Sequence, residues 1–185
     1  MHLLTPCEKA ALESLGGAMK LINCSTKKFP NTFAIVDDDS FKELRGFTWH
    51  AIEGNSTIYA HRRRLISERC GTRSIKMSHQ IMKPEKGFLV DHKDGNGLNN
   101  TRANLRIANK RQNNCNCQNR RDKKNSIYKG VSKLENKYWF ARISFYGDRK
   151  YLGLFKTEID AALAYNAAAI KYHGEFAKLN KIKCS

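Results

Sequence analysis

Apolar positions along the chain come in short runs, and their spacing changes character more than once. Phe33-Ala34-Ile35-Val36 is an apolar run of strand length, and Asp37-Asp38-Asp39 behind it is placed to cap a short helix around Phe41–Leu44. The stretch Phe47–Ile52, the turn residues Gly54-Asn55 and the stretch Thr57–Arg62 predict a hairpin that runs into Arg62-Arg63-Arg64. Phe88-Leu89-Val90 reads as a strand with Asp91 and His92 at its end. Residues 93–101 must form a loop, because Gly95 and Gly97 favour positive φ and the asparagines tolerate it. Asn104–Ile107 reads as a second short strand. Asn109 can then cap a helix in which Asn113 lies about one turn along.

From Tyr128 the pattern becomes strictly alternating. Lys129-Gly130-Val131 begins a short strand. In Tyr138–Phe145, Trp139, Ala141, Ile143 and Phe145 share one face, and Tyr138, Phe140, Arg142 and Ser144 share the other. Gly147-Asp148, with glycine first, predicts a type II′ turn. Arg149–Phe155 returns with Leu152 and Leu154 inward, which puts Arg142, Ser144, Arg149 and Tyr151 on one exposed face. Thr157, with Asp160 three residues on, starts an Ala-rich helix that Gly174 ends. The fold class expected is α+β: a strand-rich N-terminal segment with a strand–loop–strand–helix unit, then a three-stranded antiparallel sheet packed on one helix. Residues 1–18 read as an appendage, with Met1 or Met19 as the functional start. A first domain is expected over 19–118 with its chemical core at about 77–118, a basic linker over 119–126, and a second domain over 127–182.

Charge adds a partner to this outline. The 185 residues hold 34 Lys and Arg against 17 Asp and Glu, a net +17 that fold alone does not call for. The excess is uneven: residues 1–60 are close to neutral, and the remainder of the chain carries it. Double-stranded DNA is the expected partner; no obligate protein partner is evident. No apolar run approaches the roughly 20 residues of a membrane span, and Glu8 and Glu13 argue against a secretory leader. Of the six cysteines only Cys115 and Cys117 stand close together, in a C-x-C that lacks zinc-ligand spacing. Scattered free thiols suit a reducing compartment, the cytoplasm of a bacterial or phage-infected cell.

The segment 77–113 carries the chemistry. A carboxylate and an amide oxygen make a hard, sparse site suited to Mg²⁺ or Mn²⁺. A neighbouring histidine can take a proton from water near neutral pH. Val90-Asp91-His92-Lys93-Asp94-Gly95-Asn96, Asn99-Asn100, Asn104-Leu105-Arg106 and Gln112-Asn113 together resemble the HNH nuclease motif, the ββα-metal unit, most closely in its homing-endonuclease branch. That resemblance implies metal ligation by Asp91 and Asn113, water activation by His92 and bracing of the loop by Asn104. Asn113 stands where many members have histidine. His79, in Met77-Ser78-His79, matches a residue before the motif that contacts phosphate or makes a structural hydrogen bond.

Lys129-Gly130-Val131, Trp139 to Ile143, Tyr151-Leu152-Gly153-Leu154-Phe155, the alanine run and Leu179-Asn180 resemble the AP2 domain of plant ethylene-response factors and phage homing endonucleases. The resemblance implies a sheet that enters the major groove and DNA contacts by Lys129, Arg142, Arg149 and Tyr151. Arg142 and Ser132 depart from the plant pattern, so plant target sequences do not transfer. Arg62, Arg63, Arg64, Arg120 and Arg121 are expected on backbone phosphates, with affinity that falls steeply with salt. The function expected is a site-specific endonuclease of the homing type; the alternative is a DNA-binding regulator with an inactive nuclease unit. RNA is a weaker candidate partner.

Overall fold

The computed structural model describes residues 19–54, 56–65, 74–117, 126–134 and 137–182. The appendage 1–18 and the linker arginines Arg120 and Arg121 lie outside the described residues. The chain divides into two compact units, Met1–Ala108 and Asn109–Ser185. This division counts the helix that begins at Lys110 with the second unit. Among the described residues no helix is long and apolar enough to cross a membrane.

In the first unit, β1 (Met19–Asn23) pairs antiparallel with β2 (Phe33–Asp37), and α1 (Asp38–Leu44) follows directly. Asp37 occupies the N-cap position of α1 but makes no capping bond with its side chain. Its carboxylate instead accepts the amide N–H of Arg102 at 2.6 Å. The hairpin is formed by β3 (His50–Glu53) and β4 (Ile58–Arg63), with β5 (Ser74–Lys76) on the other edge of β4. β3 starts later than Phe47, because Trp49 folds back and its indole N–H donates to the Leu44 carbonyl at 3.0 Å. α2 (Met77–Met82) continues straight from β5. β6 (Leu89–His92) and β7 (Leu105–Ala108) form a separate antiparallel pair. The core gathers Ile22, Val36, Leu44, Trp49, Ala51, Ala60, Met77, Ile81, Val90 and Leu105, so every element of this unit except β5 contributes to one apolar interior.

The loop between β6 and β7 is tied down from several directions. The Ile35 N–H donates to the Leu98 carbonyl and the Asn100 N–H to the Ile35 carbonyl, both at 2.8 Å, which docks the loop on β2. The Gly97 N–H reaches the Thr57 hydroxyl at 3.2 Å. A Cβ on Gly97 would stand 2.5 Å from the Tyr59 ring and 2.5 Å from the Ile58 carbonyl, so only glycine permits this approach.

The second unit contains α3 (Lys110–Asn116), β8 (Val131–Leu134), β9 (Tyr138–Phe145), β10 (Asp148–Phe155) and α4 (Glu158–His173). The sheet order is β10-β9-β8, all antiparallel. Ala161, Ala162, Tyr165, Ala168 and Ala169 form the buried face of α4. Small side chains let the helix lie close: a Cβ on Gly130 would fall 2.0 Å from the Tyr165 ring. Asn180 clamps the tail to the start of β8, its amide donating to the Lys129 carbonyl at 3.0 Å and accepting the Lys129 N–H at 2.6 Å.

Two expectations for the sheet need correction. The β9–β10 turn is centred on Tyr146-Gly147, with φ of 52° and 97°, because Asp148 pairs with Phe145. Two positive φ values make it a type I′ turn, one residue earlier than foreseen. A register shift between Tyr151 and Gly153 then changes which side chains face inward. Leu152 and Phe155 pack against the core while Leu154 is 47% exposed.

Candidate active site

Register decides what meets what at β6 and β7. Asp91 lies opposite Arg106 and His92 opposite Leu105. The Arg106 guanidinium therefore donates to Asp91 Oδ2 from Nε at 2.9 Å and from Nη2 at 2.7 Å, with both side chains buried. Such a pair is costly to desolvate and more costly to break, so it fixes the carboxylate's orientation.

His92 is 4% exposed. Its Nε2 lies 3.3 Å from Asn100 Oδ1, and Asn100 Nδ2 donates to the Gly97 carbonyl at 3.3 Å. An amide whose nitrogen is committed to Gly97 presents its oxygen to the ring, so Nε2 carries the proton and Nδ1 keeps the lone pair. The Tyr59 ring packs at 5.7 Å between centroids. Burial holds the His92 pKa below its ordinary value, while Asn100, Asp94 and Asp91 push it upward and Lys76 pushes it down. The net direction keeps the imidazole neutral, the state a proton acceptor needs.

Asn104 braces the loop. Its amide donates to Asp94 Oδ1 at 3.0 Å and to the Asn99 carbonyl at 2.8 Å, and its oxygen accepts the Asp94 N–H at 3.1 Å. Asp94 in turn accepts from the Asn96 N–H and the Asn99 amide, each at 2.8 Å. These bonds hold the two strand ends together, a positioning task. Asn113 lies one turn inside α3, whose start is fixed by a capping box between Asn109 and Gln112.

Among the described residues no group of three or more His, Cys, Asp or Glu could hold a metal. The donors singled out by sequence are a carboxylate and amide oxygens, a set that fits a hard, largely hydrated ion such as Mg²⁺ and not zinc. Cys24 is buried in the first core, which pushes its thiol up to about 11 and leaves it chemically inert.

The expected DNA contacts divide. Arg142, Arg149 and Tyr151 are exposed, and the pairs Arg149–Ser144 and Tyr151–Arg142 lie side by side across β9 and β10. Arg63 is exposed and Arg64 half-buried. Arg62 is corrected: it is 4% exposed, donates to Gln80 and the Arg63 carbonyl, and stacks on Phe47. Alternation along β4 turns it inward beside Ala60. Lys129 is half-buried, and its ammonium donates to the Cys115 carbonyl and, at 2.7 Å, to the Cys117 carbonyl. Those carbonyls end α3 and attract a cation. Sequence reasoning missed Tyr59 and Asn100 as contacts of His92, and Lys76 as a charge that acts on it. Lys76 had one signal, its place just ahead of Met77-Ser78-His79.

Two comparisons bear on this geometry. The family model described as HNH endonuclease matches residues 83–115, a span that holds Asp91, His92, Asn104 and Asn113. An uncharacterized HNH endonuclease of Acanthamoeba polyphaga mimivirus is 40% identical over 95 residues, which is 51% of this chain and 48% of that protein. The chain thus spans about half the length of the curated relative it matches. Both findings mark a segment of this chain that is similar to HNH endonucleases.

Proposed function

We propose that this protein is a site-specific DNA endonuclease of the homing type, in which the segment around His92 cuts and an AP2-like sheet over β8–β10 selects the site. The observation that carries this reading is the placement of His92: buried, with Nε2 3.3 Å from Asn100 Oδ1, next to a carboxylate held by Arg106, and with burial pushing its pKa down. His92 takes a proton from water as the oxygen attacks phosphorus, and the bond to the 3′ oxygen breaks to leave a 5′ phosphate and a 3′ hydroxyl. Asp91 and Asn113 would hold Mg²⁺ or Mn²⁺, which supplies charge relief at the phosphate oxygens when bound. Asn104 keeps the loop closed so that His92 does not drift. Arg142, Arg149 and Tyr151 enter the major groove, with Arg63 and the linker arginines on phosphates.

Plasmid cleavage with Mg²⁺ tests the proposal. The wild-type chain nicks or linearises DNA that carries the target locus, and His92→Ala lowers the rate by about 100-fold or more with duplex affinity retained. Cleavage at an unchanged rate in His92→Ala would refute the mechanism. Tight, sequence-selective binding without any cleavage by the wild type would favour the regulator.

A further inference from the structure

A second cationic group stands beside His92, outside the residues assigned so far. Lys76 ends β5 opposite His61 of β4, and its ammonium sits 4.5 Å from the centroid of the Tyr59 ring. The same Tyr59 ring packs against His92 and against Gly97 of the β6–β7 loop, so one aromatic plate carries the lysine on the site's border. His79 lies one turn on, in α2, and its Nδ1 is buried with no hydrogen-bond partner. Lys76 acts electrostatically on His61, His79 and His92 alike, which places all four in a common field. Among the described residues, Lys76 takes part in no ion pair with a carboxylate. Burial also lowers its pKa, the mark of an ammonium that has lost part of its water.

The arrangement is unbalanced as it stands. A partly dehydrated cation and an unpartnered ring nitrogen gain from a tetrahedral oxyanion, which accepts from several donors at once. The flat face of Tyr59 limits where the ammonium can move, so an anion it grips is positioned next to the His92 ring.

We propose that Lys76, seated on Tyr59 and supported by His79, binds a phosphodiester oxygen of the DNA beside His92. This rests on the nuclease reading for the identity of the ligand, while the anion site itself is tested separately.

The experiment uses the full chain with Lys76→Met and Lys76→Arg, after thermal melts confirm that both fold. In single-turnover plasmid cleavage, Lys76→Met is expected to lose about 100-fold or more, the scale for removing one preorganised donor. Duplex affinity changes much less, because many other contacts carry it, and Lys76→Arg recovers most of the rate. In parallel, inorganic phosphate is titrated while the imidazole resonances of His79 are followed by NMR. A saturable shift is expected in the wild type and is lost in Lys76→Met. Cleavage by Lys76→Met at the wild-type rate overturns the proposal, and so does a phosphate response that is absent or survives the substitution. If the wild type cuts nothing, the nuclease reading fails, and the phosphate titration alone decides whether the anion site exists.

Discussion

The ring of His92 receives opposing pushes, and their balance sets when it can work. Desolvation favours the neutral form most strongly, and the nearby carboxylates and Asn100 oppose it. A general base acts when unprotonated, so activity is present above its pKa in the folded protein and is lost as pH falls through that value. Because burial lowers that pKa, the acid limb of single-turnover cleavage is expected to be centred below the ordinary 6.5. A limb centred above it would contradict the assignment. Gly97 makes a different demand. Gly97→Ala forces a methyl group into the Tyr59 ring and the Ile58 carbonyl, one of which is backbone and cannot swing away. A loss of about 1–3 kcal/mol is expected, read as a lower melting temperature, together with slower cleavage as the loop shifts.

At the scale of elements, short pieces are held by local bonds because they are too short to be stable alone. α3 has seven residues, and its capping box satisfies amides that a helix start otherwise leaves open. Asn109→Ala should cost about 1 kcal/mol. Since α3 carries Asn113, the Mg²⁺ concentration for half-maximal cleavage should rise in the same variant. An unchanged metal requirement would detach Asn113 from the proposed ion. The β10 shift shows how one irregular residue redirects an element: Arg149 and Tyr151 precede it and stay with Arg142, while Leu154 follows it and turns outward.

For the molecule as a whole, the positive charge governs association more than fold. Each phosphate contact releases counterions, so the slope of log affinity against log salt counts such contacts, at about 0.9 each on duplex DNA. Replacing the exposed Arg63 by alanine should reduce that slope by about 1, whereas replacing Arg142 and Arg149 should relax sequence selection. Arg62→Ala provides the contrast, because that guanidinium is buried against Phe47 and Gln80. It should lower the melting temperature and leave the slope unchanged.

Local order was legible from the chain itself. The strand delivering Asp91 and His92, the glycine and asparagine loop, the Asn109 cap, the alternation in Tyr138–Phe145 and the Thr157 helix start all follow from residues within a few positions of one another. Propensity, capping and period act at that range. The strands Met19–Asn23 and Ser74–Lys76 were not legible, since a short segment becomes a strand when a distant partner pairs with it. The same holds for the inward turn of Arg62, the commitment of Lys129 to the end of α3, the Asp91–Arg106 pair and the seat of Lys76 on Tyr59. Each depends on register or on contacts between segments remote in sequence. Sequence determined which chemical groups the chain carries and the local elements that bear them, whereas tertiary pairing decided which groups are buried, satisfied or left facing a substrate.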